Sequence, residues 1–266
     1  MMSSFMCIIK KDFREYMRGK KCIIFSAALF AIGAMVILTT MFFPTLFSVL
    51  AEKVPDIISD SISLDSIRYL FPDNLKDSMG MWASSIGTFY SILVVLMVHG
   101  LIRKEIKRGA WIFPVASGYK KDYLMLSKAL VYGLGSALPV FIFTNIFFFL
   151  ASTFLDNNLS FLRALLSSTV LAFAIFGIAT ITILTSVFFK SSIVTALSMI
   201  GIVMVAPDVL SLFSFGHYFP TYLLTFVYTM ESDFRMIIMP VVELISITGI
   251  IYFFAAKKVV RMEISR

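Results

Sequence analysis

With 266 residues, 59% of them hydrophobic and only 15% charged, and a mean hydropathy of +0.92, the chain is not an ordinary soluble domain, for which about 25% charged residues is typical. The net charge of +7 would point to nucleic acid in a soluble protein. In a chain this apolar, basic residues held on the inner side of membrane helices give the same excess, so no nucleic-acid partner is expected. Two cysteines, Cys7 and Cys22, make neither a disulfide framework nor a zinc site.

In chain order, residues 1–21 come first. Phe5, Ile9, Phe13 and Tyr16 or Met17 recur at helical spacing between Lys10, Lys11, Arg14 and Arg18. This pattern predicts an amphipathic helix lying in the membrane interface, its basic face toward anionic headgroups. Residues 22–43 follow as an uncleaved first span, too long for the apolar core of a signal peptide and without a small-residue cleavage site after it. Further spans are predicted at residues 82–102, 129–154, 164–189, 193–213 and 237–256. Each has about 20 residues, roughly 30 Å of helix, which matches a hydrocarbon core. Lys190, Ser191 and Ser192 alone separate the fourth and fifth spans and demand a tight helical hairpin.

Two connections have character of their own. Residues 44–81 form a long acidic loop in which Val54, Ile58 and Ile62 recur at four-residue spacing, with Asp56, Asp60, Asp65, Asp73 and Asp77 beside them. Residues 214–236 contain an apolar, aromatic stretch at 218–230 that is too short to cross, flanked by Gly216 and Pro220. A stretch of that length predicts a re-entrant or interfacial segment. Placing both termini in the cytoplasm puts 18 of the 23 Lys and Arg residues inside and five outside, a strong positive-inside bias. The expected architecture is an all-α, multi-pass protein of a bacterial plasma membrane, forming a single transmembrane domain.

Motifs for chemistry are absent. There is no G-x-x-x-x-G-K-[ST], no H-E-x-x-H and no G-x-S-x-G. His99 and His217 fall on opposite sides of the predicted membrane, and Ser136 and Ser246 have no histidine at comparable depth. The chain is therefore expected to be neither an enzyme nor a metal or cofactor binder. Within the spans, Glu243 and Asn145 are the candidates for a translocation path, because polar groups in hydrocarbon are costly. Each has a structural alternative as interhelical glue. Asp208 follows Pro207 and suits a cap. Gly133, Gly135 and Pro139 mark close packing or a kink in the third span.

The loop at residues 103–128 is too long for a minimal hairpin and too basic for lipid. It runs from Glu105 through Gly109, the apolar run Trp111, Ile112, Phe113 and Val115, Gly118, the pair Lys120 and Lys121, and ends on Ser127 and Lys128. This resembles the loop of ABC-2-type permeases, the membrane subunits of one class of ABC exporters, whose pattern is roughly E-x-x-x-G-T-L-E-x-L-L-x-x-P-x-S-R, a short apolar run and G-K. Glu105, Gly109 and Lys128 match without a gap, and Lys121 stands in place of arginine. Ala110, Gly118, Lys120 and Ser127 replace the family's threonine, proline, serine and glycine, and Pro114 is unexpected in its helical run. In outline the resemblance covers the whole chain.

The resemblance implies an elbow helix at residues 1–21 and a cytoplasmic coupling loop that docks into a separate ATPase. It also implies a second permease subunit, identical or not, with ATP and magnesium held by the ATPase alone. The ATPase contact would use Glu105, Gly109, Trp111, Ile112, Phe113, Val115, Lys120, Lys121 and Lys128. A hydrophobic or amphipathic substrate is expected, a bacteriocin-like peptide first (self-immunity included) and a lipophilic drug second. The alternative class is an ion-coupled carrier or channel with Glu243 in its pathway.

Overall fold

A computed structural model describes residues 2–42, 46, 49, 74–155, 158–212, 220, 222–229 and 235–262. Among these the chain is all-helical, without strands. Helix α1 spans Met2–Arg18 and α2 spans Lys21–Ile37, continued by a π-helical turn at Leu38–Phe42. Then come α3 (Leu75–Ser85), a π turn (Ile86–Tyr90), α4 (Ser91–Val98), α5 (Leu101–Lys107) and the short α6 (Ile112–Ala116). The remainder is α7 (Lys121–Ala151), α8 (Phe161–Thr185), α9 (Ser192–Ser211), α10 (Tyr222–Thr229) and α11 (Arg235–Arg261).

Among the described residues five stretches are long and apolar enough to cross a membrane: Lys21–Thr40, Leu75–Lys107, Lys121–Ala151, Phe161–Thr185 and Met236–Arg261. The fifth stretch expected to cross is a shorter apolar helix, Ser192–Pro207. The helix of the second begins at Leu75, seven residues before the sequence pattern suggests, because Asn74 caps it by accepting the Asp77 N–H at 2.9 Å. Residues 50–73, and with them the repeat at Val54, Ile58 and Ile62, lie outside the described residues, as do Gly216 and His217. Of the segment between the last two apolar helices, α10 is described. Its eight residues make about 12 Å of helix, with Leu223, Leu224 and Val227 buried.

The antiparallel pair α7 and α8 forms the centre. Helices α1 and α2 pack on α7, and α4, α10 and α11 on α8, while α9 leans on α4 and α8. The break between α1 and α2 is a turn at Gly19 and Lys20, with Lys20 in the left-handed region at φ +56°, uncommon for a residue with a side chain. The two π turns have local causes. In Leu38–Phe42, Thr39 and Thr40 donate back to the carbonyls of Met35 and Val36. In Ile86–Tyr90, Ser91 Oγ donates to the Ile86 carbonyl five residues back.

Pro139 shapes the middle of α7. A proline inside a helix offers no N–H to the carbonyl four residues earlier, which here belongs to Gly135. That carbonyl is taken by the Tyr16 hydroxyl of α1 at 2.7 Å. The neighbouring Ser136 carbonyl accepts the Tyr90 hydroxyl at 2.8 Å. Gly135 is required for the approach, since a Cβ there would stand 2.6 Å from the Tyr16 ring. The carbonyl that Pro139 leaves without a helical donor in α7 is thus satisfied by a tyrosine of α1. Tyr16→Phe is expected to cost about 1–2 kcal/mol by orphaning a carbonyl. In a Pro139→Ala background, where the alanine supplies the missing N–H, the same change is expected to cost less than about 0.5 kcal/mol. Thermal unfolding of the four proteins in detergent measures the coupling, and equal costs in both backgrounds would refute it.

Candidate functional site at the base of the third helix

The loop predicted as the partner contact is built on a buried ion cluster. Lys128, one turn before the apolar part of α7, is 1% exposed. Its Nζ lies 3.0 Å from Asp12 Oδ1, 2.6 Å from Glu15 Oε2 and 2.5 Å from Glu105 Oε1. A lone ammonium at such a site would lose its hydration without return. Three carboxylates from two other helices replace that water. Asp12 is held in turn by Ser127 Oγ, which donates to its Oδ2 at 2.6 Å. Glu105 is held by Trp111 Nε1, which donates to its Oε2 at 2.8 Å. Burial pushes the Glu15 carboxyl up, but the hydrogen bond and charge of Lys128 outweigh it and hold the group below the usual carboxylate range.

This arrangement corrects the sequence reading at three points. Trp111, expected in an exposed apolar cluster, is buried at 1% exposure, because its indole N–H satisfies Glu105. Lys128, expected at the partner contact, is fully enclosed and serves as the cluster's cation. Lys121, expected at the rim of a partner, donates to the carbonyls of Val260 and Met262 at 3.2 and 2.6 Å, where it caps the end of α11. Sequence reasoning misses Asp12 and Glu15 altogether. Their signal is present in the sequence, as two acids three residues apart on a helix otherwise basic.

The rest of the loop is a small helical knob. Gly109 (φ +69°) and Gly118 (φ +90°) supply the left-handed turns on either side of α6. Phe113 at the tip is 81% exposed and Ile112 41%. Val115 is half-buried against the core, and Lys120 is exposed. A cavity of about 340 Å³ runs beside the knob between Phe113 and Pro114 on one wall and Cys7, Ile8 and Lys11 of α1 on the other. Helix α1 therefore has three sectors. Ile8, Asp12 and Tyr16 face the protein. Met6, Phe13 and Met17 form an exposed apolar stripe, and Lys10, Arg14 and Arg18 lie beyond it.

The two intramembrane candidates are not brought together. Asn145 Nδ2 donates to the Phe141 carbonyl at 2.7 Å and to Ser168 Oγ at 3.0 Å, which ties α7 to α8. Glu243 is half-buried on α11. An apolar cavity of about 320 Å³ lies between α8, α9 and α11, walled by Ile178, Ile181, Met199, Val203, Leu244 and Ile247 among others. Neither Glu243 nor Asn145 is among the described residues that line it. No group of three metal-ligating side chains occurs among the described residues.

Removing Lys128 leaves three carboxylates facing one another in a buried site. Lys128→Met is expected to destabilise by about 3–5 kcal/mol. Glu15→Gln should cost about 1 kcal/mol or less, because Glu15 is the most exposed of the three acids and Lys128 keeps two partners. Melting temperatures in detergent test the order, and a Glu15→Gln loss as large as that of Lys128→Met would overturn it. Comparison with protein-family models, with curated proteins and with solved structures finds no match to this chain.

Proposed function

We propose that the chain is the membrane-spanning subunit of an ATP-driven exporter of the ABC-2 type, working with a separate ATPase and a second permease subunit. It crosses a bacterial plasma membrane six times, with both termini in the cytoplasm. Helix α1 is the interfacial elbow, and residues 214–236 enter the outer leaflet and return. The chain hydrolyses no nucleotide itself; ATP and magnesium belong to the ATPase.

One observation carries this reading. The knob at α6 presents Phe113 and Ile112 outward while its base is tied by Trp111, Glu105 and Lys128 to both the elbow and the third helix. An exposed aromatic on a rigid base suits the core of a protein interface. A motor pressing on the tip would move α1, α5 and α7 as one body, as levers require. The apolar cavity between α8, α9 and α11 suits a hydrophobic or amphipathic cargo, such as a lipophilic peptide. A carrier or channel centred on Glu243 has no comparable support, since that residue stands outside the cavity.

Phe113→Asp and Ile112→Asp are expected to abolish co-purification with the ATPase, or to uncouple ATP hydrolysis from transport, with insertion and melting temperature unchanged. Trp111→Asp should instead lower the melting temperature, because its indole is buried against Glu105. A cysteine in place of Phe113 should crosslink to the ATPase. Retained ATPase binding and transport in both tip variants would remove the main support for the family reading. Topology has its own test: impermeant thiol reagents added from outside should label a cysteine at Asp60 and leave one at Lys107 unlabelled.

A further inference from the structure

A second charged site has no role in the reading above. Where the turn between α8 and α9 meets α5, a cavity of about 250 Å³ is lined by Arg103, Lys104, Lys107, Lys190, Ser191 and Ser192. Among the described residues four cations and no acid line it. The carboxylate next in sequence, Glu105, is committed to Lys128. Lys104, Lys107 and Lys190 form no ion pair with a described residue. Arg103 gives one guanidinium nitrogen to the Phe189 carbonyl, and its Nε is buried without an acceptor. Like charges so gathered repel one another, and the pocket is electrostatically complete only with an anion in it.

The backbone adds donors to the same place. Helix α9, 20 residues long, starts at this cavity, and its N-cap Ser191 makes no side-chain cap. The first intrahelical acceptor contact is Thr195 N–H to the Ser191 carbonyl, so the preceding N–H groups are open to a ligand. Gly100 lets α9 come this close, since a Cβ there would be 3.2 Å from Ser192 Cβ. Lysine point charges, an arginine and free N–H groups together suit a ligand with several acceptor oxygens on one centre.

We infer that this cavity binds a phosphate group, and that its source is the headgroup of an anionic membrane lipid. The apolar surroundings favour the lipid over a free phosphate. Ile193 and Leu197 on α9 and Leu96 on α4 are exposed and lead away from the pocket along the apolar helices, where acyl chains would lie. Basic pockets between membrane helices on the cytoplasmic side hold anionic headgroups in this manner. The site stands whether or not the chain works with an ATPase; it needs only a membrane around these helices.

The test uses the full chain in a non-ionic detergent. Phosphatidylglycerol, phosphatidylcholine with the same acyl chains, and inorganic phosphate are titrated, with lipid retention read by native mass spectrometry and stability by thermal shift. Phosphatidylglycerol is expected to bind and stabilise, and phosphatidylcholine to do neither. Replacing Lys104, Lys107 and Lys190 together by Gln should weaken phosphatidylglycerol about a hundred-fold, at roughly fivefold per basic residue. These lysines form no ion pair with a described acid and repel one another, so the variant's melting temperature without lipid should be no lower than that of the parent. The matched control replaces Lys10, Arg14 and Arg18 by Gln, removing equal charge from the face of α1 expected to meet headgroups, and should lose at most a few-fold, since those residues do not line the pocket. Failure of millimolar inorganic phosphate to compete assigns the site to lipid; full competition assigns it to a soluble phosphate compound. Unchanged affinity in the triple variant, or an equal loss in the elbow control, overturns the proposal. So does a triple variant that binds lipid normally and loses only its ATPase, because the patch is then a protein contact.

Discussion

Lys128 is the point on which the packing of α1, α5 and α7 turns. An ammonium group at the base of an apolar helix either reaches water or is given carboxylates, and here it is enclosed. The enclosure recruits Asp12 and Glu15 from the elbow and Glu105 from the end of the second long helix. Each partner then needs its own support, which explains the burial of Ser127 and Trp111. Such a cluster is a poor source of net stability, because desolvation offsets most of the attraction. What it gives is register. The elbow cannot slide along α7 without leaving a charge unpaired.

The second tether works by the same logic with neutral groups. Pro139 deprives one carbonyl of its helical donor, and Tyr16 replaces it. Tyr16 and Asp12 lie one turn apart on α1, so a single face of that helix serves both the ion cluster and the carbonyl freed by Pro139. Tyr132 adds a ring contact to Tyr16, with centroids 5.4 Å apart. Helix α1 is therefore an integral part of the α7 surface. Its exposed apolar stripe of Met6, Phe13 and Met17 occupies a different sector.

Charge is handled differently at the two sites. Around Lys128 the anions outnumber the cation, and every member is held by a neighbour. At the start of α9 the cations stand together without acids. The positive-inside bias does not distinguish them, since both sets of lysines count equally toward it. Burial does: Lys128 is enclosed, whereas Lys104, Lys107 and Lys190 are exposed. The first site is structural by its own completeness, and the second is open to solvent and ligand.

Hydropathy and length alone determine that the chain is helical and membrane-like, because a span needs only about 20 apolar residues in succession and that property is local. The special character of the loop at residues 103–128 and the importance of Gly133, Gly135 and Pro139 are legible for the same reason: each depends on local composition or on a residue's own backbone. The pairing of side chains is not. Glu15 and Lys128 are separated by 113 residues, and Tyr16 and Gly135 by 119. Helical periodicity marks Tyr16 as apolar-facing but cannot say that its hydroxyl completes a proline kink. Trp111 reads as exposed because loop aromatics without a visible partner do, and only the approach of α5 to α7 supplies Glu105 as that partner. The same holds for the cation pocket, since Arg103 and Lys190 meet only when α8 and α9 fold back against α5. Local physics writes the helices into the sequence; which polar groups face one another across them is decided by packing, where each buried charge takes whatever partner the fold brings within reach.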